Sequence, residues 1–250
     1  MITESMDLHS MYVYLGSDKG FPRIRQKHEV YIRAYDKHFS RLVNTAPTVL
    51  EIGCGYPGTL ENNKLGMGGS LVLWSEYFGK GTQVVGIDII PECKEYEDSE
   101  AGILIEIGDQ VDPEFLEQIV RKYGPFDIII DDGSHLDQHM RKTFDFLFPY
   151  LKNGGIYAVE DLDGFVESGN SFMSTSRFVS YAQELSLRLQ KYSERVPEQS
   201  QNELLDYKPE PLTCMDVMIN SISFYRNLVI VEKDFYQRSS QMPMPPHYNF

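Results

Sequence analysis

Two pairs of acidic residues stand at the ends of apolar runs that have the length of β-strands. Asp131 and Asp132 follow "FDIII", and Glu160 and Asp161 follow "GIYAV". In open α/β sheets, ligands bind beyond the carboxyl ends of the strands, where these side chains would meet. Carboxylates that share a site repel one another unless a proton or a cation lies between them, and oxygen donors favour a hard divalent ion, Mg²⁺ first. We therefore predict that Asp132, Glu160 and Asp161 bind a metal ion and that Asp131 faces the cofactor side, although any one of them would more commonly cap a helix.

A histidine lies three residues after the second of these aspartates. His135 falls in the loop "GSHL", between the strand and the next helical pattern. An imidazole titrates near neutral pH, so one beside a cation and carboxylates suits the role of general base. We predict that His135 is the catalytic base and that His139, on the helix, is structural. If His135 were a metal ligand instead, a facial triad on Fe(II) would need a second histidine, either His139 or His28.

The stretch "EIGCGYPG" has the spacing of a dinucleotide-binding turn. Gly53, Gly55 and Gly58 match G-x-G-x-x-G, a motif that works when a helix begins at once and aims its N–H groups at a pyrophosphate. Here Pro57 and a polar run delay the helix, and the strand-ending acid Asp88 lies further along the chain than the roughly 20 positions that the motif expects. The context argues against NAD and favours S-adenosylmethionine, which has a ribose for the carboxylate to bind but no phosphate. The alternative is that the glycines only turn the chain and that Asp88 caps a helix.

A further acidic residue follows the third strand pattern, in "IEIGDQ". Asp109 would accept a hydrogen bond from an adenine amino group at the same edge of the sheet. An aspartate after a glycine is more often a turn residue, so the prediction depends on its position among the other strand ends.

Apolar runs of strand length alternate with helical patterns through the middle of the chain. The strand patterns are "TVLEIG", "QVVGID", "ILIEIG", "FDIIID" and "GIYAVE", and the helical patterns include "GGSLVLWSEYF", "DPEFLEQIVRKY" and "HMRKTFDFLFPYL". This alternation predicts βαβ units and a doubly wound, mostly parallel α/β sheet. The runs "INSISFYRN" and "LVIVEK" are so close that only an antiparallel pair can connect them. An antiparallel strand at one edge would give the Rossmann-like sheet of class I methyltransferases.

Two segments fall outside this predicted core. Residues 1–45 contain the amphipathic pattern "IRQKHEVYIRAYDKHFSRLV", and residues 164–212 contain "SRFVSYAQELSLRLQKY" followed by a polar stretch. Insertions after the carboxyl end of a strand usually cover a site. We therefore predict an N-terminal cover, a core domain over 46–235 in which 164–212 is a lid, and a tail over 236–250.

The composition is that of an acidic globular protein. Of 250 residues, 42% are hydrophobic, and 37 Asp and Glu against 23 Lys and Arg give a net charge of −14. A nucleic acid or an anionic membrane would be repelled, so we predict neither as a partner. The three cysteines fit no zinc spacing, no export signal is recognisable, and no apolar run reaches the roughly 18 to 20 residues of a membrane span. These features predict a cytoplasmic protein.

Together the motifs resemble a known family. "GSDKG", "VLEIGCG", "FDIIIDDGSH", "GGIYAVEDL" and "ISFYRNLVIVEK", with His28, Tyr31 and Tyr35, are similar to the S-adenosylmethionine- and Mg²⁺-dependent O-methyltransferases of macrolide sugars, of the mycinamicin and macrocin type. Relatives named cephalosporin hydroxylases share the pattern. The resemblance covers residues 14–162 and 219–233, and it implies the metal ligands and the base given above, as well as an oligomer. It implies cofactor contacts at these positions: Ser17, Lys19, Glu51, Gly53, Asp88, Asp109, Gln110 and Asp131.

Two stretches depart from the family pattern. "CGYPGTLEN" differs from the usual loop after the first strand. "EDLDGF" has Asp163 and Gly164 where relatives often have threonine, serine and an aromatic residue. The second departure lies beside the predicted acceptor and therefore bears on its identity.

We accordingly predict an enzyme, a metal-dependent O-methyltransferase that acts on a hydroxyl of a small natural product such as a deoxysugar on a polyketide. Its cofactors would be S-adenosylmethionine and Mg²⁺, or another hard divalent cation, and it would form a homo-oligomer. Two alternatives remain open: an Fe(II)-dependent oxygenase of a small natural product, and a cofactor-binding protein without turnover.

Overall fold

The chain forms a seven-stranded sheet in the computed structural model, which describes residues 25–55, 68–162, 177–191 and 213–234. The strands are β1 (Thr48–Ile52), β2 (Gln83–Asp88), β3 (Ile103–Ile107), β4 (Phe126–Asp131), β5 (Leu151–Val159), β6 (Ile219–Tyr225) and β7 (Leu228–Lys233). They lie in the order β3-β2-β1-β4-β5-β7-β6. β1 to β5 are parallel, and β7 runs antiparallel to both β5 and β6. The predicted mostly parallel sheet with an antiparallel pair at one edge is confirmed.

The central strands are parallel because their residues are apolar on both faces. Ile128, Ile129 and Ile130 of β4 are fully buried, and four of the five residues of β1 are buried. Such continuous burial is typical of parallel strands that have helices on both sides. The edge strand β6 differs, since most of its residues are only partly buried or exposed.

Helices cover both faces of the sheet, as the doubly wound arrangement requires. They are α1 (Arg25–Phe39), α2 (Gly69–Phe78), α3 (Pro113–Tyr123), α4 (Asp137–Leu147), α5 (Arg177–Lys191) and α6 (Cys214–Met218). Short 3₁₀ helices lie at Ser40–Leu42, Pro91–Tyr96 and Phe148–Tyr150. α1 and α2 contribute to one buried cluster, and α3 to α6 contribute to the other. Within the described part of the chain, no helix combines the length and the apolar character needed to cross a lipid bilayer.

Aromatic side chains join α1 to α2 on the first face. Tyr35 stacks on Phe39 with ring centroids 4.8 Å apart and meets Trp74 edge-on at 5.3 Å, while Phe39 lies 6.0 Å from Phe78. Aromatic pairs of this kind add about 0.5–1.5 kcal/mol each beyond the area that they bury. The described helix of the predicted N-terminal cover therefore contributes to the core.

On the second face, α5 packs against α4. Phe178 of α5 meets Phe144 of α4 edge-on at 5.7 Å, and Arg188 of α5 forms a bidentate salt bridge to Asp216 of α6 at 2.7 and 2.6 Å. α5 is the described part of the predicted lid over 164–212, and its inner side lies in the core. That this segment acts as a lid stays a prediction.

Two element boundaries differ from the predicted ones for local reasons. α4 ends at Leu147 because Pro149 cannot continue the helix, and a 3₁₀ turn follows. β5 begins at Leu151, before the apolar run, and its next residues, Lys152 and Asn153, are exposed. The polar start of β5 hid the beginning of this strand from the sequence pattern.

Candidate functional site

The carboxyl ends of β1, β2 and β4 lie side by side at the centre of the sheet. Ile52 of β1 pairs with Ile87 of β2 and with Asp131 of β4, so the loops after these strands leave the sheet together. The strand order reverses here, since β2 lies on one side of β1 and β4 on the other. A reversal of this kind opens the crevice in which open α/β sheets bind ligands.

The turns after β1 and β4 need glycine for steric reasons. Gly53 has a φ of 90°, and a Cβ there would lie 2.2 Å from the carbonyl oxygen of Asp132. Gly55 follows with a φ of 103°. In the loop after β4, a Cβ on Gly133 would lie 2.5 Å from Oε1 of Gln110. Gly53 thus lets the loops after β1 and β4 approach each other closely, and Gly133 does the same for the loops after β3 and β4.

Asp88 ends β2 and directs its carboxylate towards the glycine turn. Its Oδ2 accepts a hydrogen bond from the N–H of Cys54 at 2.7 Å, and its Oδ1 accepts one from the N–H of Ile90 at 2.9 Å. These bonds tie the end of β2 to the glycine turn after β1. They do not cap a helix, since the 3₁₀ helix at Pro91–Tyr96 has Ile90 as its N-cap and no side-chain cap. Each carboxylate oxygen has a second lone pair, so ribose binding by Asp88 is compatible with them and stays a prediction.

Glu51 lies in the core of the sheet. It is fully buried in β1, and its Oε2 accepts a hydrogen bond from the indole N–H of Trp74 at 2.9 Å. The bond links β1 to α2, directly behind the glycine turn. A contact between Glu51 and the cofactor stays a prediction.

Asp109 and Gln110, in the loop after β3, have different surroundings. Asp109 is exposed, and its Oδ1 accepts a hydrogen bond from the N–H of Val111 at 3.0 Å, as in a turn. Gln110 is buried; its Oε1 accepts from the N–H of Ser134 at 2.8 Å, and its Nε2 donates to Oγ1 of Thr143 at 3.2 Å. Gln110 therefore holds the loop after β4 in place, a contact that the sequence did not reveal. Cofactor contacts of both residues stay predictions.

Asp131 is a buried carboxyl group at the end of β4. It is 1% exposed, and burial raises its pKa to about 7, with the neighbouring charge of Asp132 acting in the same direction. Hydrogen bonds from Gly133, Gln110 and Tyr157 act in the opposite direction. Strongly perturbed carboxyl groups in a crevice are typical of functional sites, and the cofactor contact of Asp131 stays a prediction.

Asp132, His135 and Asp161 bring three potential metal-ligand atoms together. One ligand atom of each residue lies within 4.8 Å of those of the other two, and His135 Nε2 is 4.0 Å from Asp132 Oδ1. All three side chains are partly exposed, so an ion from solvent can reach them. Two carboxylates and an imidazole are donors that divalent cations accept, and the predicted metal therefore fits this group. The group contains two of the predicted ligands together with the predicted base.

Glu160, the remaining predicted ligand, lies next to this group and is buried. It is 2% exposed, and its Oε1 accepts a short hydrogen bond from the hydroxyl of Tyr35. The hydroxyl of Tyr31, one helical turn earlier, lies 2.9 Å from Oδ1 of Asp161. The sequence indicated these two tyrosines only through the family resemblance. Their spacing of four residues, which places them on one face of a helix, was the other feature that could have indicated a shared role. Metal binding by Glu160 stays a prediction.

Cys54, Asp88 and Cys93 form a second group of potential ligands within 4.8 Å of one another. Both cysteines are free and buried. Burial raises the pKa of the Cys54 thiol far above its ordinary value and that of the Cys93 thiol to about 12. Free cysteines that are buried in this way behave as small apolar side chains.

Some predicted residues lie outside the described part of the chain. They are Ser17, Lys19, Gly58, Asp163 and Gly164, and the side chain of His28. His139 is described, and its Nδ1 lies 3.0 Å from Oγ of Ser134. Among the described residues, His139 belongs to neither group of potential ligands, and the side chain of His28, the other histidine considered for a facial triad, lies outside them.

The amino-acid sequence is similar to those of curated sugar O-methyltransferases. Mycinamicin VI 2''-O-methyltransferase of Micromonospora griseorubida is 46% identical over 128 residues, and demethylmacrocin O-methyltransferase of Streptomyces fradiae is 44% identical over 128 residues. Over these residues the chain is similar to macrolide-sugar O-methyltransferases. The resemblance predicted from the sequence motifs is therefore confirmed. Each match covers 51% of this chain and 30% of the relative, so the matched residues span less than a third of these proteins.

Solved structures agree on the fold. The MycE methyltransferase of the mycinamycin pathway, in complex with Mg, SAH and mycinamycin VI, has a TM-score of 0.68 at 29% identity and matches 98% of this chain. A second MycE structure, with Mg and SAH, has a TM-score of 0.69 at 29% identity. The matches cover 57% and 58% of the MycE chains. The predicted class I methyltransferase fold is thereby confirmed, although no family model matches the chain.

Proposed function

We propose that the chain carries the catalytic core of a metal-dependent O-methyltransferase. The reaction would move a methyl group from S-adenosylmethionine to a hydroxyl of a small acceptor. The observation that carries this proposal is the convergence of Asp132, His135 and Asp161 beside the glycine turn, where the strand order reverses. The Mg and SAH present in the related MycE structures support the same pair of cofactors.

The cation would be held by Asp132, Glu160 and Asp161. When bound, a divalent cation lowers the pKa of an acceptor hydroxyl and orients its oxygen. A donor set made mostly of carboxylates favours Mg²⁺ or another hard ion. Because all three side chains follow β4 and β5, which are hydrogen-bonded neighbours, the sheet fixes their spacing.

The cofactor would lie across the ends of β1 and β2. Gly53 and Gly55 leave room for the nucleoside, Asp88 would accept from the two ribose hydroxyls, and Asp109 would accept from the adenine amino group. The remaining proposed contacts are Ser17, Lys19, Glu51, Gln110 and Asp131. Of these, Gln110 also fixes the loop after β4, and it would therefore couple cofactor binding to the position of His135.

His135 would remove the proton of the acceptor hydroxyl at Nε2. As the oxygen attacks the methyl carbon in line, a C–O bond forms, the S–C bond breaks, and the bonding electron pair returns to the sulfur. No covalent bond to the protein is needed, so positioning of the two substrates is the main contribution, worth up to about 7–11 kcal/mol of the barrier for well-oriented reactants. The loop contacts described above serve that positioning.

The names of the relatives support a sugar hydroxyl as the acceptor. They include 2''-O-methylation of mycinamicin VI and 3'-O-methylation of a rhamnosyl tetracenomycin. We propose a deoxysugar attached to a polyketide, methylated in the cytoplasm by a homo-oligomer. Asp163 and Gly164, which depart from the family pattern and lie outside the described residues, were predicted to lie beside this acceptor and would adapt the site to a particular sugar.

Binding and turnover measurements on the wild-type chain test the proposal. Calorimetric titration with S-adenosylmethionine and with NAD, each with and without Mg²⁺, should give binding of the first only. Methyl transfer from labelled S-adenosylmethionine to mycinamicin VI, demethylmacrocin and rhamnosyl tetracenomycin should then require Mg²⁺. Tight NAD binding without a response to S-adenosylmethionine would overturn the cofactor assignment, and turnover that is unchanged by chelator would overturn the metal.

A further inference from the structure

Two tyrosines of α1 reach the carboxylates that follow β5. Tyr31 and Tyr35 are four residues apart, so their side chains lie on the same face of the helix. The Tyr31 hydroxyl lies 2.9 Å from Oδ1 of Asp161, and the Tyr35 hydroxyl donates to Oε1 of Glu160. The tyrosines are 2% and 1% exposed, so bulk water does not compete for these hydrogen bonds. One helix thus contacts two successive carboxylates through two successive turns.

The Tyr31 hydroxyl also holds the backbone around Asp161. It accepts a hydrogen bond from the N–H of Asp161 at 3.1 Å and lies 2.7 Å from the carbonyl oxygen of Asn227. Asp161 and Asn227 have φ values of 53° and 57°, a left-handed conformation that is uncommon for residues other than glycine. Such conformations persist only where the surroundings hold them, and here one hydroxyl contacts both residues.

Hydrogen bonds of this kind determine how a carboxylate is turned. A bond to one oxygen fixes the rotation of the carboxylate plane, so it also fixes where the other oxygen lies. In metal sites, partners behind the ligands typically change metal affinity about 10–100-fold when they are removed. Phenol hydroxyls leave the charge of the carboxylates in place, which a lysine or arginine in the same position would partly neutralise.

We propose that Tyr31 and Tyr35 are positioning residues of the divalent-cation site, which they serve by orienting Asp161 and Glu160. This inference rests on the function proposed above, because it needs those carboxylates to bind the cation. α1 is then a structural part of the metal site, in addition to its packing against α2. The sequence places this helix in the segment 1–45, which was predicted to be an N-terminal cover.

Tyr77 offers a matched control on another helix. Its hydroxyl donates to Oδ1 of Asp36 at 3.1 Å, so it too joins a tyrosine to a carboxylate and involves α1. Asp36 belongs to neither group of potential metal ligands. Tyr77→Phe therefore removes the same kind of hydrogen bond from the same helix without touching Glu160 or Asp161.

The test is a titration of the metal-free protein with Mn²⁺. Binding is measured by the decrease in the electron paramagnetic resonance signal of the free ion. Tyr31→Phe and Tyr35→Phe should raise the Kd for Mn²⁺ about 10–100-fold, and Tyr77→Phe should leave it at the wild-type value. The Kd for S-adenosylmethionine, measured by calorimetry, should be unchanged in all three variants. Their far-ultraviolet circular dichroism confirms that each variant is folded; removing only a hydroxyl keeps the ring packing of Tyr35 against Phe39.

Different outcomes separate this inference from the function on which it rests. Wild-type Mn²⁺ affinity in Tyr31→Phe and Tyr35→Phe, together with lost affinity in Asp132→Ala, would overturn the positioning role and leave the proposed function standing. An equal loss of Mn²⁺ and S-adenosylmethionine binding in the two variants would also overturn it, because it would indicate a general structural role. A wild-type chain that binds neither ligand would remove both proposals.

Discussion

His135 and Asp161 share a left-handed backbone conformation and bring their side chains to one point. Their φ values are 56° and 53°, and their potential ligand atoms, with one of Asp132, lie within 4.8 Å of one another. Neither residue is a glycine, so each conformation costs of the order of 1–3 kcal/mol that the surrounding contacts must offset. The left-handed backbone at both positions turns the two side chains towards the same point.

Replacing Asp132 and His135 separately should distinguish a ligand from a base. Asp132→Ala should lose activity because it loses the cation, so its Kd for Mn²⁺ should rise sharply. His135→Ala should bind Mn²⁺ and S-adenosylmethionine like the wild type and turn over about 10²- to 10⁴-fold more slowly, because a general base contributes that much. Titration calorimetry and initial rates with labelled S-adenosylmethionine provide the two measurements.

The pH dependence of the rate also distinguishes a base from a metal ligand in the Asp132→Ala and His135→Ala variants. Hydroxide can replace a missing base, so the rate of His135→Ala should partly recover at high pH, while that of Asp132→Ala should not. Loss of Mn²⁺ binding in His135→Ala would make the histidine a ligand, which its 4.0 Å distance from Asp132 would permit. Full activity in His135→Ala would transfer the role of base to another group.

Gly53→Ala should prevent S-adenosylmethionine binding as well as lower stability. The new Cβ would lie 2.2 Å from the carbonyl oxygen of Asp132, and the φ of 90° disfavours any side chain. Overpacking of this kind costs about 1–3 kcal/mol of unfolding free energy. Gly79→Ala is the control, since Gly79 has a similar φ of 84° but its Cβ would meet only the Asn44 side chain, at 3.0 Å. Urea unfolding should show a loss in both variants, and calorimetry should show lost binding in Gly53→Ala alone.

Arg188→Ala should destabilise the fold by about 1.5–3 kcal/mol, because it removes two hydrogen bonds to the charged carboxylate of Asp216. The Asp216 side chain is 0% exposed, and Arg188 binds both of its carboxylate oxygens. The exposed pair Arg121–Glu117 is the matched control, and Arg121→Ala should cost only about 0.3–0.5 kcal/mol. Equal midpoints of urea unfolding for the two variants would show that α5 contributes little to the stable core.

Stability at low pH should depend on the contact between α1 and β7. The hydrogen bond from His38 keeps the pKa of Glu232 below its ordinary 4.5, although burial acts in the other direction. The attraction of Arg41 and a hydrogen bond from Ser221 also lower it. Because the pKa is lower in the folded state, the unfolded chain takes up more protons, and stability is lost as the pH falls through the folded-state pKa.

Acid titrations of two variants check this sign. Above pH 4.5, protonation of Glu232 should not affect the unfolding free energy of the wild type. Below pH 4.5 this free energy should decrease, and it should decrease less steeply in Glu232→Gln. Glu117→Gln, which removes an exposed glutamate, should follow the wild type. A steeper fall in Glu232→Gln than in the wild type would contradict the prediction.

The fold could be predicted from the sequence because burial on both faces leaves continuous apolar runs. The five parallel strands appeared as such runs, and the antiparallel pair was evident from its short connection. The start of β5 was missed because Lys152 and Asn153 interrupt the pattern. The role of α5 was not evident either: an amphipathic helix has a buried face, but its sequence does not say whether that face packs on a core or over a site.

The position of the candidate site could be predicted from the sequence. The contacts and backbone conformations within the site could not. Strand ends locate Asp132, Asp161 and His135 because parallel strands end at one edge of a sheet. The left-handed φ of His135 and Asp161 could not be read from the sequence, since neither residue type requires it. The contact between Gln110 and the loop after β4 joins residues whose separation in the chain carries no pattern.

The position of Tyr31 also bears on how the protein is made. Its hydroxyl joins Asp161, 130 residues later, and Asn227, 196 residues later. A ribosome builds the chain from the N-terminus at about 5–20 residues per second, so α1 emerges well before its partners. The contact between Tyr31 and Asn227 cannot form until the β6–β7 hairpin has also emerged. The proposed cation site therefore cannot be completed before the β6–β7 hairpin has been synthesised.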